Sequence, residues 1–176
     1  MAKMKSKPPT LYMTVDPAIA KPCWIAYSKP FQGDIVEIQS EWLTDVGKFL
    51  MIWGGWFGTE TTPMQPTRIV AAIEKPTVGK REYGLAMIFA ANAISGAIKR
   101  IAPNPSGSIK NTWRNKIFFV DPNIWQAAML TGAPGANTKE QSCWVASQIA
   151  KREITNDNEA DAICLFAYAE SLDWEL

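Results

Sequence analysis

The chain has 176 residues, 47% of them hydrophobic and 20% charged, which supplies one domain with a full core and excludes a disordered polymer. It contains no histidine, so a Ser-His-Asp triad, a Cys-His pair and zinc sites built on histidine are excluded. Its three cysteines, Cys23, Cys143 and Cys164, are too scattered for a zinc knuckle or a disulfide framework. For an enzyme of this composition, carboxylates working with Mg²⁺ or Mn²⁺ are the most available chemistry.

Net charge is +1 but unevenly placed. Glu153 to Leu176 holds seven acidic residues and no Lys or Arg, leaving eighteen basic and ten acidic groups in the preceding 152 residues. A basic body suits a polyanionic partner. No run of about 18 apolar residues predicts a membrane span. Met1 to Thr10 is basic and proline-containing, without the apolar centre of a secretory signal, and reads as a flexible arm carrying Lys3, Lys5 and Lys7. Residues 11–176 read as a single domain. Unpaired cysteines fit a reducing, cytoplasmic setting.

In chain order, Leu11–Asp16 predicts a buried strand that ends on a carboxylate followed by Pro17. Ala18–Pro22 reads as a turn and Cys23–Tyr27 as a second strand. Ile35–Trp42 alternates apolar and polar residues, the pattern of a half-buried third strand. Short connections between these three imply an antiparallel meander. Thr44–Trp53 predicts a short helix, and the aromatic, glycine-rich stretch Trp53–Phe57 opens a polar loop running to Thr67. Arg68–Glu74 is a strongly apolar strand that again delivers a carboxylate, here before Lys75 and Pro76. Tyr83–Arg100 predicts a long helix with Met87, Ala91, Ile94 and Ile98 on one face and several small residues. Lys116–Val120 is a fifth strand, followed by Asp121 and Pro122. Ile124–Leu130, Lys139–Glu153 and Asp157–Leu172 predict helices, the last starting at an Asn/Asp-rich cap and carrying Asp161 in its first turn or so.

The order β-β-β-α-β-α-β-α-α is the plan of a ribonuclease H-like α/β fold: a five-stranded mixed sheet, three antiparallel strands and then parallel ones, with helices on both faces. In that plan the first and fourth strands are neighbours, so Asp16 and Glu74 share a sheet edge and the last helix brings Asp161 to it. Taken singly, each acid is an ordinary turn or cap residue. Together they offer hard oxygen ligands to a pair of Mg²⁺ ions, which at roughly 3.5–4 Å apart activate a water and stabilise the leaving oxygen of a phosphodiester.

The segments Val15-Asp16-Pro17, Ile73-Glu74-Lys75-Pro76, Pro122-Asn123-Ile124-Trp125 through Thr131-Gly132 with Lys139 beyond, and Asn158-Glu159-Ala160-Asp161-Ala162-Ile163 resemble the RuvC-like Holliday junction resolvases, particularly those of bacteriophages. The resemblance runs from about Leu11 to Ala169 and lies in the order and spacing of the segments. It implies a homodimer whose two sites nick opposed strands of a four-way DNA junction, leaving 5′-phosphate and 3′-hydroxyl ends, with two Mg²⁺ per site, Mn²⁺ as a substitute and no organic cofactor. Asp16, Glu74 and Asp161 match the family's metal-binding acids. The family's further ligand, Asp or His three residues before the last acid, falls on Asn158, with Asp157 one residue earlier; either is one helical turn from Asp161. Lys139 resembles the basic residue that lies near the scissile phosphate. Lys75, Lys80 and Arg81, following Glu74, would line the same DNA entrance. By analogy the helix Tyr83–Arg100 is the dimer face. A broader nuclease for flaps and forks, and a catalytically weak junction-binding protein with Asn158 in place of an acid, are the alternative readings.

Overall fold

The computed structural model describes residues 10–17, 23–31, 34–43, 58–59, 62–63, 68–76, 88, 91–96 and 116–174. The expected N-terminal arm, the helix at Thr44–Trp53, the Trp53–Phe57 stretch, Lys80 and Arg81 lie outside them. Of the expected long helix Tyr83–Arg100, residues 91–96 are described and are helical, with Ala91 and Ile94 buried.

Seven strands are described: β1 (Thr10–Asp16), β2 (Cys23–Phe31), β3 (Asp34–Leu43), β4 (Gly58–Thr59), β5 (Thr62–Pro63), β6 (Arg68–Glu74) and β7 (Lys116–Val120). Three full helices follow: α1 (Pro122–Leu130), α2 (Thr138–Ala150) and α3 (Asp157–Ser171). Backbone pairing gives the order β3-β2-β1-β6-β7. Strands β1, β6 and β7 run parallel, while β2 pairs antiparallel with both β1 and β3. Strands β4 and β5 form a small separate hairpin inside what reads from sequence as a polar loop.

These observations correct the expected fold class. Side-chain packing is described for a three-stranded, all-parallel unit, β1, β6 and β7, with its helices, and not for a five-stranded mixed sheet clad in helices on both faces. Strands β2 and β3 join that unit through backbone pairing, and Ala26 alone is described among their side chains. The class that stands is α/β in general.

The parallel unit follows from its residues. In β1, Leu11, Met13 and Val15 are fully buried on one face, and Thr14 and Asp16 are buried on the other. A strand buried on both sides is what a parallel sheet requires, and β6 repeats the pattern with Ile69 to Ile73. One core groups Val70, Ala72 and Val120 of the sheet with Trp125, Leu130, Val145, Ala146 and the α3 side chains Ala162, Ile163, Leu165 and Phe166. Helix α3 is the centrepiece of this core. Fully buried Thr14 donates from Oγ1 to the backbone carbonyl of Ala162 at 2.7 Å, pinning α3 to the sheet. Beyond the helix, buried Trp174 packs edge-on to Phe166 and against Tyr12. No helix among the described residues is long and apolar enough to cross a membrane.

Helix ends are chemically set. Asp121, Asn137 and Asn156 are the N-caps of α1, α2 and α3, each accepting from a backbone N–H of the first turn. Helix α2 stops at Ala150, earlier than the expected Glu153, because Lys151 turns into the left-handed region at φ 54° and Ile154 N–H donates to the Ser147 hydroxyl at 2.9 Å.

Candidate functional site

Parallel strands present their C-terminal ends on one edge, where open α/β sheets place ligands. The register of β1 against β6 runs to Val15 opposite Ile73, so the next residues, Asp16 and Glu74, stand level on adjacent strands. Residues two apart on a strand share a face. Asp16 therefore lies on the face of Thr14, which bonds α3 at Ala162, the residue after Asp161. The same hydroxyl that anchors the helix thus sets the position of its acid relative to the strand-end pair. Asp157 lies one turn before Asp161 on the same side of α3.

The electrostatics register this proximity. Burial holds the Asp16 carboxyl well above the usual carboxylate range, and the charges of Glu74, Asp161 and Asp157 push it further. Burial and then Asp161 push Glu74 up to about 7, against a lowering hydrogen bond from Trp125, with Asp121 adding repulsion. Burial pushes Asp161 up to about 6, opposed by a hydrogen bond with buried Ser142 and reinforced by Asp157. Three remote segments thus deliver one buried acid, Asp16, and two half-buried ones, Glu74 and Asp161; Asp161 raises both Asp16 and Glu74, while exposed Lys139 lowers Asp161. Asp157 differs: its hydrogen bond and ion pair with exposed Lys139 hold its carboxyl below the usual value.

The donor set is all carboxylate oxygen, the chemistry that Mg²⁺ or Mn²⁺ favours, and the mutual repulsion is what a divalent cation would relieve. In donor type and charge the residues fit such an ion. Among the described residues, however, no group of three or more Cys, Asp or Glu is disposed to hold a metal. The acids neighbour one another without closing on a common point.

Of the site residues read from sequence, Asp16, Glu74, Asp157 and Asp161 lie near enough for charge to act between them, and Lys139 pairs with Asp157. Asp157 is not the cap of α3; that role belongs to Asn156, and the Asp157 carboxylate instead pairs with Lys139 while its charge still raises Asp16 and Asp161. Asn158 is half-buried on the same first turn. Lys75 is exposed directly after Glu74, its N–H donating to the Val120 carbonyl at 2.7 Å.

Three residues escape a reading from sequence. Trp125, completely buried, donates its indole N–H to Glu74 Oε2 at 3.0 Å. Ser142 bonds Asp161 from α2. Asp121 adds its charge near Glu74 while capping α1. Asp121 alone left a signal, since Val120-Asp121-Pro122 repeats the strand-end carboxylate and proline of Val15-Asp16-Pro17.

No family model matches the chain, and no curated protein matches it.

Proposed function

We propose that the protein is a metal-dependent, structure-selective DNA endonuclease that resolves four-way junctions and related branched DNA by paired nicks, of the RuvC-like kind its sequence resembles. The observation that carries this reading is the group of carboxylates, buried Asp16 with half-buried Glu74 and Asp161, borne by two adjacent strand ends and a helix and held above the usual carboxylate range. Neighbouring acids withdrawn from water destabilise the protein when charged unless a cation compensates, and such an arrangement marks functional sites. When bound, Mg²⁺ or Mn²⁺ supplies Lewis-acid polarisation of a phosphoryl oxygen and activation of an attacking water.

The chain's own residues have separable tasks. Asp16 and Glu74 hold the cation from a rigid sheet edge, Asp161 completes the set from α3, and Asp157 adds a fourth carboxylate. Lys139, on an exposed helix start, contacts a backbone phosphate, an interaction that gives affinity without sequence choice. Lys75 extends the basic rim. Two copies of the chain, acting in the host cytoplasm, would cut opposed strands, with strand choice set by dimer geometry and DNA shape.

The test is cleavage of a synthetic four-way junction in Mg²⁺ or Mn²⁺, with Asp16→Asn as control. Symmetric nicks that vanish in the variant support the proposal. Junction binding in Ca²⁺ with no cutting in Mg²⁺ or Mn²⁺ would overturn it in favour of a junction-binding protein.

A further inference from the structure

One oxygen of Glu74 is already committed. Its Oε2 accepts from the Trp125 indole N–H at 3.0 Å, and an indole has a single donor with one direction. That donor cannot move aside. The ring is completely buried in the core shared by β7, α1, α2 and α3. Its helix is fixed at the start by Asp121, whose carboxylate accepts from the Asn123 backbone N–H at 2.9 Å, and by Pro122 in the first turn. The Lys75 N–H to Val120 carbonyl bond ties the end of β6 to the strand that leads into this helix. With Oε2 taken by the indole, Oε1 is the Glu74 oxygen left for a cation.

This geometry bears on which cation the edge accepts. Ca²⁺ takes six to eight oxygens at about 2.3–2.6 Å and commonly chelates a carboxylate through both oxygens. Mg²⁺ demands near-octahedral ligands at about 2.0–2.1 Å, and single carboxylate oxygens suit it. Two-oxygen chelation by Glu74 would break the bond to Trp125 and strand a buried N–H without a partner.

We infer that Trp125 is a metal-specificity determinant, holding Glu74 as a one-oxygen ligand and so favouring Mg²⁺ and Mn²⁺ over Ca²⁺. The inference rests on the metal-dependent reading of the site. It is tested on the full chain by calorimetric titration with MnCl₂ and with CaCl₂, for the wild type, for Trp125→Phe, and for a variant carrying benzothienylalanine at position 125, which keeps the indole shape but lacks the N–H. Loss of the donor weakens Mn²⁺ binding about tenfold, the low end of what removing such an outer hydrogen bond does, while Ca²⁺ affinity stays level or rises. The Mn²⁺/Ca²⁺ preference then falls about tenfold in both variants. A purely structural tryptophan would weaken both ions in proportion, and an unchanged preference in the isostere variant overturns the inference while leaving Mn²⁺ binding intact. If the wild type binds neither ion, the metal reading itself fails and takes this inference with it.

Discussion

Glu74→Gln should make the metal-free protein more stable, and only at high pH. Glu74 is raised from 4.5 to about 7 by burial and by Asp161. A carboxyl whose folded value is raised keeps its proton in the folded state after the unfolded chain has lost it. Its destabilising effect is absent below about pH 4.5, grows as pH rises through the interval, and is complete above about 7. At about 1.36 kcal/mol per pH unit, the interval corresponds to about 3 kcal/mol for this residue. Glutamine removes the charge and keeps an oxygen for the Trp125 indole. Urea unfolding in EDTA across pH 4.5–8 should show the variant ahead by up to about 3 kcal/mol at pH 8 and level with the wild type at pH 4.5. Millimolar Mg²⁺ should close the gap by stabilising the wild type alone, as a ligand bound only to the folded state does. A variant no more stable at pH 8, or one whose advantage does not change with pH, would refute the argument that the Glu74 charge destabilises the metal-free fold.

Other perturbations probe the scaffold around the acids. Thr14→Val keeps the shape of a fully buried side chain but removes its bond to the Ala162 carbonyl. It should cost about 1 kcal/mol and lower Tm by about 2–4 °C in scanning calorimetry, while weakening Mn²⁺ binding because Asp161 is no longer fixed against Asp16. Lys139→Gln should weaken junction binding at all sequences alike and reduce the salt dependence, log Kd against log salt, by about one unit of slope. Burial pushes the Cys164 thiol up to about 12, so in the native protein it should resist iodoacetamide, read by mass spectrometry, until denaturant is added.

Asp16 and Glu74 were legible in the sequence because each ends an apolar strand just before a proline-containing turn, and Asp161 because it lies one turn inside a helix whose start is marked by Asn and Asp. Arg68–Glu74 and Lys116–Val120 have the bounds that their apolar runs predict, and β1 differs from its expected span only by Thr10. The start of α3 at Asp157 follows from its cluster of Asn and Asp, although a sequence offers no way to choose between Asn156 and Asp157 as the cap. That choice is made by the Glu159 N–H bonding to the Asn156 side chain, and it leaves Asp157 to pair with Lys139 beside the other acids. The tie between Trp125 and Glu74 was not legible, since it joins residues 51 apart through the register of β6 against β7. The same holds for Thr14 and Ala162, 148 apart. A strand pattern reports burial on each face but not what covers it, so the packing of α3 on the Thr14 face comes from the structure alone. The two-residue strands β4 and β5 are too short to leave any periodicity.

The central claim is spatial: Asp16, Glu74 and Asp161 serve one cation-binding site. Anomalous diffraction at the manganese edge, from crystals soaked in MnCl₂, addresses it directly. The account predicts a peak among these three carboxylates that disappears in Asp16→Asn crystals. A manganese peak elsewhere, or none at saturating Mn²⁺ in well-diffracting wild-type crystals, would contradict it.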